Sequence, residues 1–184
     1  EVLSNGQVLV FCGDNTAPYT EPSFTLLNAD MSVVYANTNY QLPHSASGHI
    51  YTRNQTNFNF CLLSDTEALL VTFDEQVDDK VYVTAIDIAN PANSTDVDSF
   101  APAMYNNQFY GGVKLSDGKY GVFYEDNSAL ESSVQYADFA LRIYDAATHT
   151  LERSITTNRT RGIRATCYAG KVIYNEALNQ VSII

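Results

Sequence analysis

The chain is predicted to be all-β, an array of repeated four-stranded antiparallel units. Three observations predict it. Its aromatics are 13 Tyr and 9 Phe with no Trp, and with Val and Thr these suit pleated, half-buried surfaces. "KLSDGKYGVFYEDN" (114–127) reads as strand, tight turn and strand, with Gly118 free to take the positive φ of a short hairpin. The same pattern recurs along the chain.

It begins in "VLSNGQVLVFC" at Val2, "CLLSDTEALLVTF" at Cys61, "VKLSDGKYGVFY" at Val113 and "CYAGKVIYNE" at Cys167. The turn positions are Gly6, Thr66, Gly118 and Gly170, at intervals of 60, 52 and 52 residues. A second element follows in three of the units: "FTLLNADMSVVYA" (24–36), "VYVTAIDIANPANSTDVDSF" (81–100) and "LRIYDAATHTLERSI" (141–155). Each is a strand ending in Asn28, Asp87 or Asp145, then a turn, then a shorter strand. "ANTNYQLP" and "TTNRTRG" lead from one unit to the next. Helical spacing shows only in "NSALESSVQYADFALRIYDAA", and its second half fits a strand better.

Four strands at a period of 50 to 60 residues are the signature of a β-propeller blade, whose faces are buried only when neighbours stack. The chain is expected to be a single β domain over 1–184, with units at about 1–42, 43–101, 102–157 and a partial 158–184. That is about three and a half blades, against four to eight in a closed propeller. A β-sandwich of unrelated hairpins is the alternative. An open arc exposes faces and edges, so either more chain exists than these residues or copies complete one another. Glu1 is not an initiator Met, which fits a processed or partial chain.

A net charge of −11 with ten Lys and Arg argues against nucleic acid. The one basic cluster, Arg153, Arg159, Arg161 and Arg164, is spaced by polar residues and reads as a solvated edge. No apolar run approaches the ~18 residues of a membrane span. Asn54, Asn93 and Asn158 each open an N-glycosylation triplet, and three such triplets with many Tyr, Asn, Ser and Thr favour an extracellular protein. Cys12, Cys61 and Cys167 allow one internal disulfide in three pairings, or three free thiols. Without a C-x-x-C or a His pair they do not suggest zinc.

No motif names a reaction. Asp74–Asp79 is acidic enough for Ca²⁺ but lacks the residue order of a known calcium loop, so a solvated turn is expected. Asp96 and Asp98 alternate along a strand and are expected to point outward. Ser116-Asp117-Gly118 lacks the residue that a sialidase Asp-box places between its Ser and Asp. Asn5, Asp65 and Asp117 suit Asx turns instead. His44, His49 and His149 have no metal spacing, and Ser45 and Ser47 beside them lack a nucleophile elbow. Tyr105, Phe109 and Tyr110 could stack on a carbohydrate, with core packing the plainer reading. No cofactor is implied.

"LSDGKYGVFY…ALRIYDAATHTLERSITTN" resembles a repeat of large bacterial and protist cell-surface proteins. Those repeats run A-L-x-D-G-G-F-V-V-x-W, then Y-x-x-x-F-D-x-x-G, then V-N-T. The match covers Leu115–Asn158, and residues 60–100 and 161–184 more loosely. The Trp is missing, Thr66 replaces the turn Gly, and Ala146-Ala147 follow Asp145 where Gly is usual. The resemblance implies a propeller-like surface protein and carries no catalytic residues.

The expected function is therefore a non-catalytic extracellular structural protein that associates with copies of itself, as in a filament. A glycan- or protein-binding propeller module is the alternative, and part of a glycan-processing enzyme the second alternative. The apolar, uncharged end "NQVSII" places the expected assembly edge at Val181, Ile183 and Ile184.

Overall fold

A computed structural model describes residues 1–16, 19–37, 42–44, 59–74, 80–101, 110–115, 118–126, 138–156, 172–178 and 180–183. The fold is all-β, with thirteen strands in four antiparallel sheets among these residues. Sheet A holds β1 (Val8–Thr16), β2 (Tyr19–Leu27) and β3 (Val33–Asn37), in that order. Sheet B holds β4 (Asn59–Leu62), β5 (Glu67–Asp74), β6 (Lys80–Asp87) and β7 (Thr95–Phe100). Sheet C holds β8 (Tyr110–Lys114), β9 (Lys119–Asp126), β10 (Asp138–Asp145) and β11 (Leu151–Thr156). A two-stranded sheet D pairs β12 (Val172–Asn175) with β13 (Gln180–Ile183). The described sheets do not close into a ring.

The same local chemistry closes the first turn of sheets A, B and C. Leu3 N–H donates to the Gln7 carbonyl (2.8 Å), Leu63 N–H to Glu67 (3.0 Å) and Leu115 N–H to Lys119 (2.9 Å). Gly6 and Gly118 sit at the matching place with φ of +82° and +75°, where a side chain would be strained. Thr66 sits there without positive φ; Ser64 Oγ accepts from the Thr66 and Glu67 amides instead. In sheet A the first strand is reduced to a stub, a single bridge from Val2 to Val8.

The second turns match as well. Asn28 N–H donates to the Ser32 carbonyl (2.8 Å) and Asp145 N–H to Thr150 (3.0 Å). Asp87 Oδ1 accepts from the Ala89 and Asn90 amides, and Asp145 Oδ1 from those of Ala147 and Thr148. These are Asx turns, in which a carboxylate satisfies backbone donors that the sheet ladder cannot reach. Each last strand then carries one extra residue opposite its partner: Val34 in β3, Val97 in β7 and Glu152 in β11.

The sheets stack face upon face. Leu9, Phe24 and Leu26 of sheet A pack on Ala68, Leu70 and Ile86 of sheet B, with Leu3 and Leu42 closing the cluster. The other face of sheet B, with Leu69, Val71, Val81 and Val83, packs on Tyr120, Val122, Tyr124 and Tyr144 of sheet C. The far face of sheet C, through Val113 and Phe123, meets Tyr174 of sheet D. Sheet B is thus covered on both sides, which is why β5 reads as the unbroken apolar run "ALLV". Its approach to β8 is close: a Cβ added at Gly112 would lie 2.9 Å from Leu69 Cδ2 and 3.3 Å from Cys61 Sγ.

Candidate functional site

The polar side chains with partners inside the stack gather around β7. The alternation of a strand sends residues i and i+2 to one face, so Asp96 and Asp98 were expected to point outward together. They do not. Thr84 pairs with Asp96 and Val83 with Asp98, which leaves Val97 as an extra residue between them. The bulge turns the two carboxylates towards opposite neighbours of sheet B, and both are partly buried, at 21% and 26% side-chain exposure.

Asp96 faces the junction with sheet A. Thr84 Oγ1 donates to it at 2.7 Å, and His44 Nδ1 lies 3.1 Å from both carboxylate oxygens. The His44 ring stacks on Tyr82, with centroids 3.8 Å apart and planes within 7°. Its side chain is only 4% exposed, and Nε2 has no hydrogen-bond partner among the described residues. An Asp–His pair acts as a catalytic base only when the far nitrogen reaches a nucleophile. Ser45 and Ser47, the nearest hydroxyls in sequence, lie outside the described residues, as does His49.

Asp98 faces sheet C. Tyr144 OH donates to Asp98 Oδ2 at 2.6 Å, and Arg142 Nη1 donates to the same oxygen at 3.1 Å. The Arg142 guanidinium also lies 3.8 Å above the Phe100 ring, a cation–π contact that covers its charge. Burial pushes the Tyr144 hydroxyl well above its usual range, and the Asp98 carboxylate adds to the shift. Tyr120 is raised for the same first reason, with the Glu67 and Asp98 charges contributing. Its ring stacks on Tyr144 at 5.0 Å, and His149 sits beside it, 3.3 Å from its hydroxyl and 3.5 Å from Glu67. Burial pushes the Cys61 thiol up to about 12, so it is an unreactive neutral group at neutral pH.

Asp98 and Glu67 meet partners across the B–C junction, and Asp96 holds the 42–44 segment to sheet B. No group of three His, Cys, Asp or Glu side chains that could hold a metal exists among the described residues. Cys61 is a free thiol, and the side chains of Cys12 and Cys167 lie outside what is described. Sequence spacing did not reveal His44 as a partner of Asp96, because 52 residues separate them.

The other expected site residues are spread over the surface or fall outside the described residues. Asn93 is exposed at the end of the 3-10 turn Pro91–Asn93, where its amide reaches Asp87 at 3.5 Å. Asn54, Asn158, Gly170 and Ile184 lie outside the described residues, as do Asp117, Tyr105, Phe109 and residues 75–79 of the acidic stretch. Of the basic cluster, Arg153 is exposed and the other three also lie outside. Val181 and Ile183 are on β13, in register with Tyr174 and Val172. No helix among the described residues is long and apolar enough to cross a membrane. The chain matches no protein-family model and no curated protein, so its function is read from its own residues.

Proposed function

We propose that this chain is a non-catalytic structural module of an extracellular surface protein, a propeller-like array that associates with copies of itself. The observation that carries the reading is the use made of its partly buried charge: Asp98 is spent on joining sheet B to sheet C, and Asp96 on holding His44, in the segment after sheet A, beside Thr84 of sheet B. A catalytic site keeps a reactive group aimed at open space; here the carboxylates are occupied by protein donors. Equivalent turns, capping residues and bulges in sheets A, B and C support units made to stack, as blades do. β8 lying against β4 and β5 suits blades joined through their first strands. The exposed Asn93 triplet supports an extracellular setting.

Sedimentation velocity of the glycosylated chain over a concentration series tests this. Species that grow with concentration support it, and loss of growth on truncation after Asn179 assigns part of the contact to Val181, Ile183 and Ile184. A monomer throughout moves the reading to a glycan- or protein-binding module. Peptide mass spectrometry with Asn54, Asn93 and Asn158 all bare would remove the support for an extracellular setting.

A further inference from the structure

The stack has a direction. Counting from the first turn, Ala68 and Leu70 of sheet B occupy the places of Tyr120 and Val122 in sheet C and of Val8 and Val10 in sheet A. In sheets B and C these residues face the preceding sheet and are fully buried there. In sheet A, Val8 and Val10 are left partly exposed.

Strand register shows how far that face extends. Val2 pairs with Val8, Val8 with Leu27, and Leu27 with Val33, a lateral row of four apolar residues across the sheet. Val10 and Thr25 begin the next row. Val2 is 66% exposed, Val33 60% and Val34 47%. Neither row contains a charge, in a chain with 21 acidic residues. Contiguous uncharged apolar surface of this kind marks a contact.

We infer that this outer face of sheet A is a docking surface for a second copy of the chain, which stacks on it head to tail through the outer face of its own last sheet. The inference rests on the self-association proposed above and names its site. What says so is continuity: at both internal junctions the equivalent face is covered by the opposite face of another sheet of the same kind. A head-to-tail contact joins unlike surfaces, so it repeats without closing on itself in pairs.

The test places a charge on the face at its exposed rim, in the full chain. Val33→Lys, with Val2→Lys as a second variant, is compared with Leu151→Lys by sedimentation velocity. Leu151 pairs with Tyr144 as Val33 pairs with Leu27, and it is 46% exposed on the rim of an already covered face. Urea midpoints confirm that each variant folds. A charge buried in the contact should weaken association roughly tenfold or more, while Leu151→Lys should leave it within about twofold. Association that survives both Val33→Lys and Val2→Lys overturns the docking face and leaves self-association standing. A wild-type chain that is monomeric throughout overturns both, and a different occupant then covers sheet A.

Discussion

Sheets A and C lie on opposite faces of sheet B, and the two junctions use different chemistry for the same geometry. The A–B junction is mostly aliphatic, centred on Leu9, Leu26, Leu70 and Ile86, with Phe11 and Phe60 packed at its side. The B–C junction is rich in tyrosine and threaded by Asp98, Arg142, Glu67 and His149. An aliphatic junction depends on shape and water exclusion, so it loses most when volume is removed. A tyrosine junction also depends on the protonation of buried hydroxyls, so it responds to pH.

The largest expected effect breaks the A–B junction. Phe24 is fully buried, and its ring lies 4.6 Å from that of Phe11. Phe24→Ala should cost about 3–5 kcal/mol, read as a lower urea midpoint. A loss under about 1 kcal/mol would mean that this junction is not a packed core.

Next comes the polar link of the B–C junction. Asp98→Asn removes the charge that accepts from Tyr144 and Arg142, and should cost about 1.5–3 kcal/mol. In a double-mutant cycle with Tyr144→Phe the losses should fall short of additive, because both variants break the same bond. Strict additivity would show that the two side chains do not interact.

Alkaline titration sharpens the contrast. The folded-state values of Cys61, Tyr120 and Tyr144 lie above their unfolded ones. Their contribution is therefore fully present below roughly pH 8.5 and is lost as pH rises through the folded values. Urea midpoints should fall from about pH 9 upward, and Cys61 should resist alkylation at pH 8 until the chain is unfolded. On the A–B side Tyr35 is raised, first by burial and then by Asp87. Midpoints flat to pH 11 would remove the distinction.

The smallest effect compares two turns. Met31 and His149 both hold left-handed backbone, at φ of +68° and +55°. Met31 projects into solvent, so Met31→Gly should stabilise by about 0.5–1 kcal/mol in chemical denaturation. His149→Gly should gain less, because it forfeits the contacts to Tyr120 and Glu67.

The turns were legible in the sequence because their physics is local. Asn5, Ser64 and the strand-ending Asp87 and Asp145 accept from backbone amides within three residues, whereas Asp65 accepts from Ser4 of the preceding unit. The polar contacts were not legible. A bulge breaks the two-residue period without leaving a glycine or proline as a mark, so nothing in "STDVDSF" says that Asp96 and Asp98 part company. His44 with Asp96 spans 52 residues, and Arg142 with Asp98 joins two units, distances at which spacing along one strand carries no information.

Among the described residues, each strand of every sheet is hydrogen-bonded only to the strand before it and the strand after it in the chain. That bears on how the molecule is made. None of these strands has to wait for a partner from the far end of the polypeptide, so little loop-closure entropy opposes any of these pairings. A nascent chain can complete sheet A before the residues of sheet C have left the ribosome, and each finished sheet offers its apolar face as the template for the next.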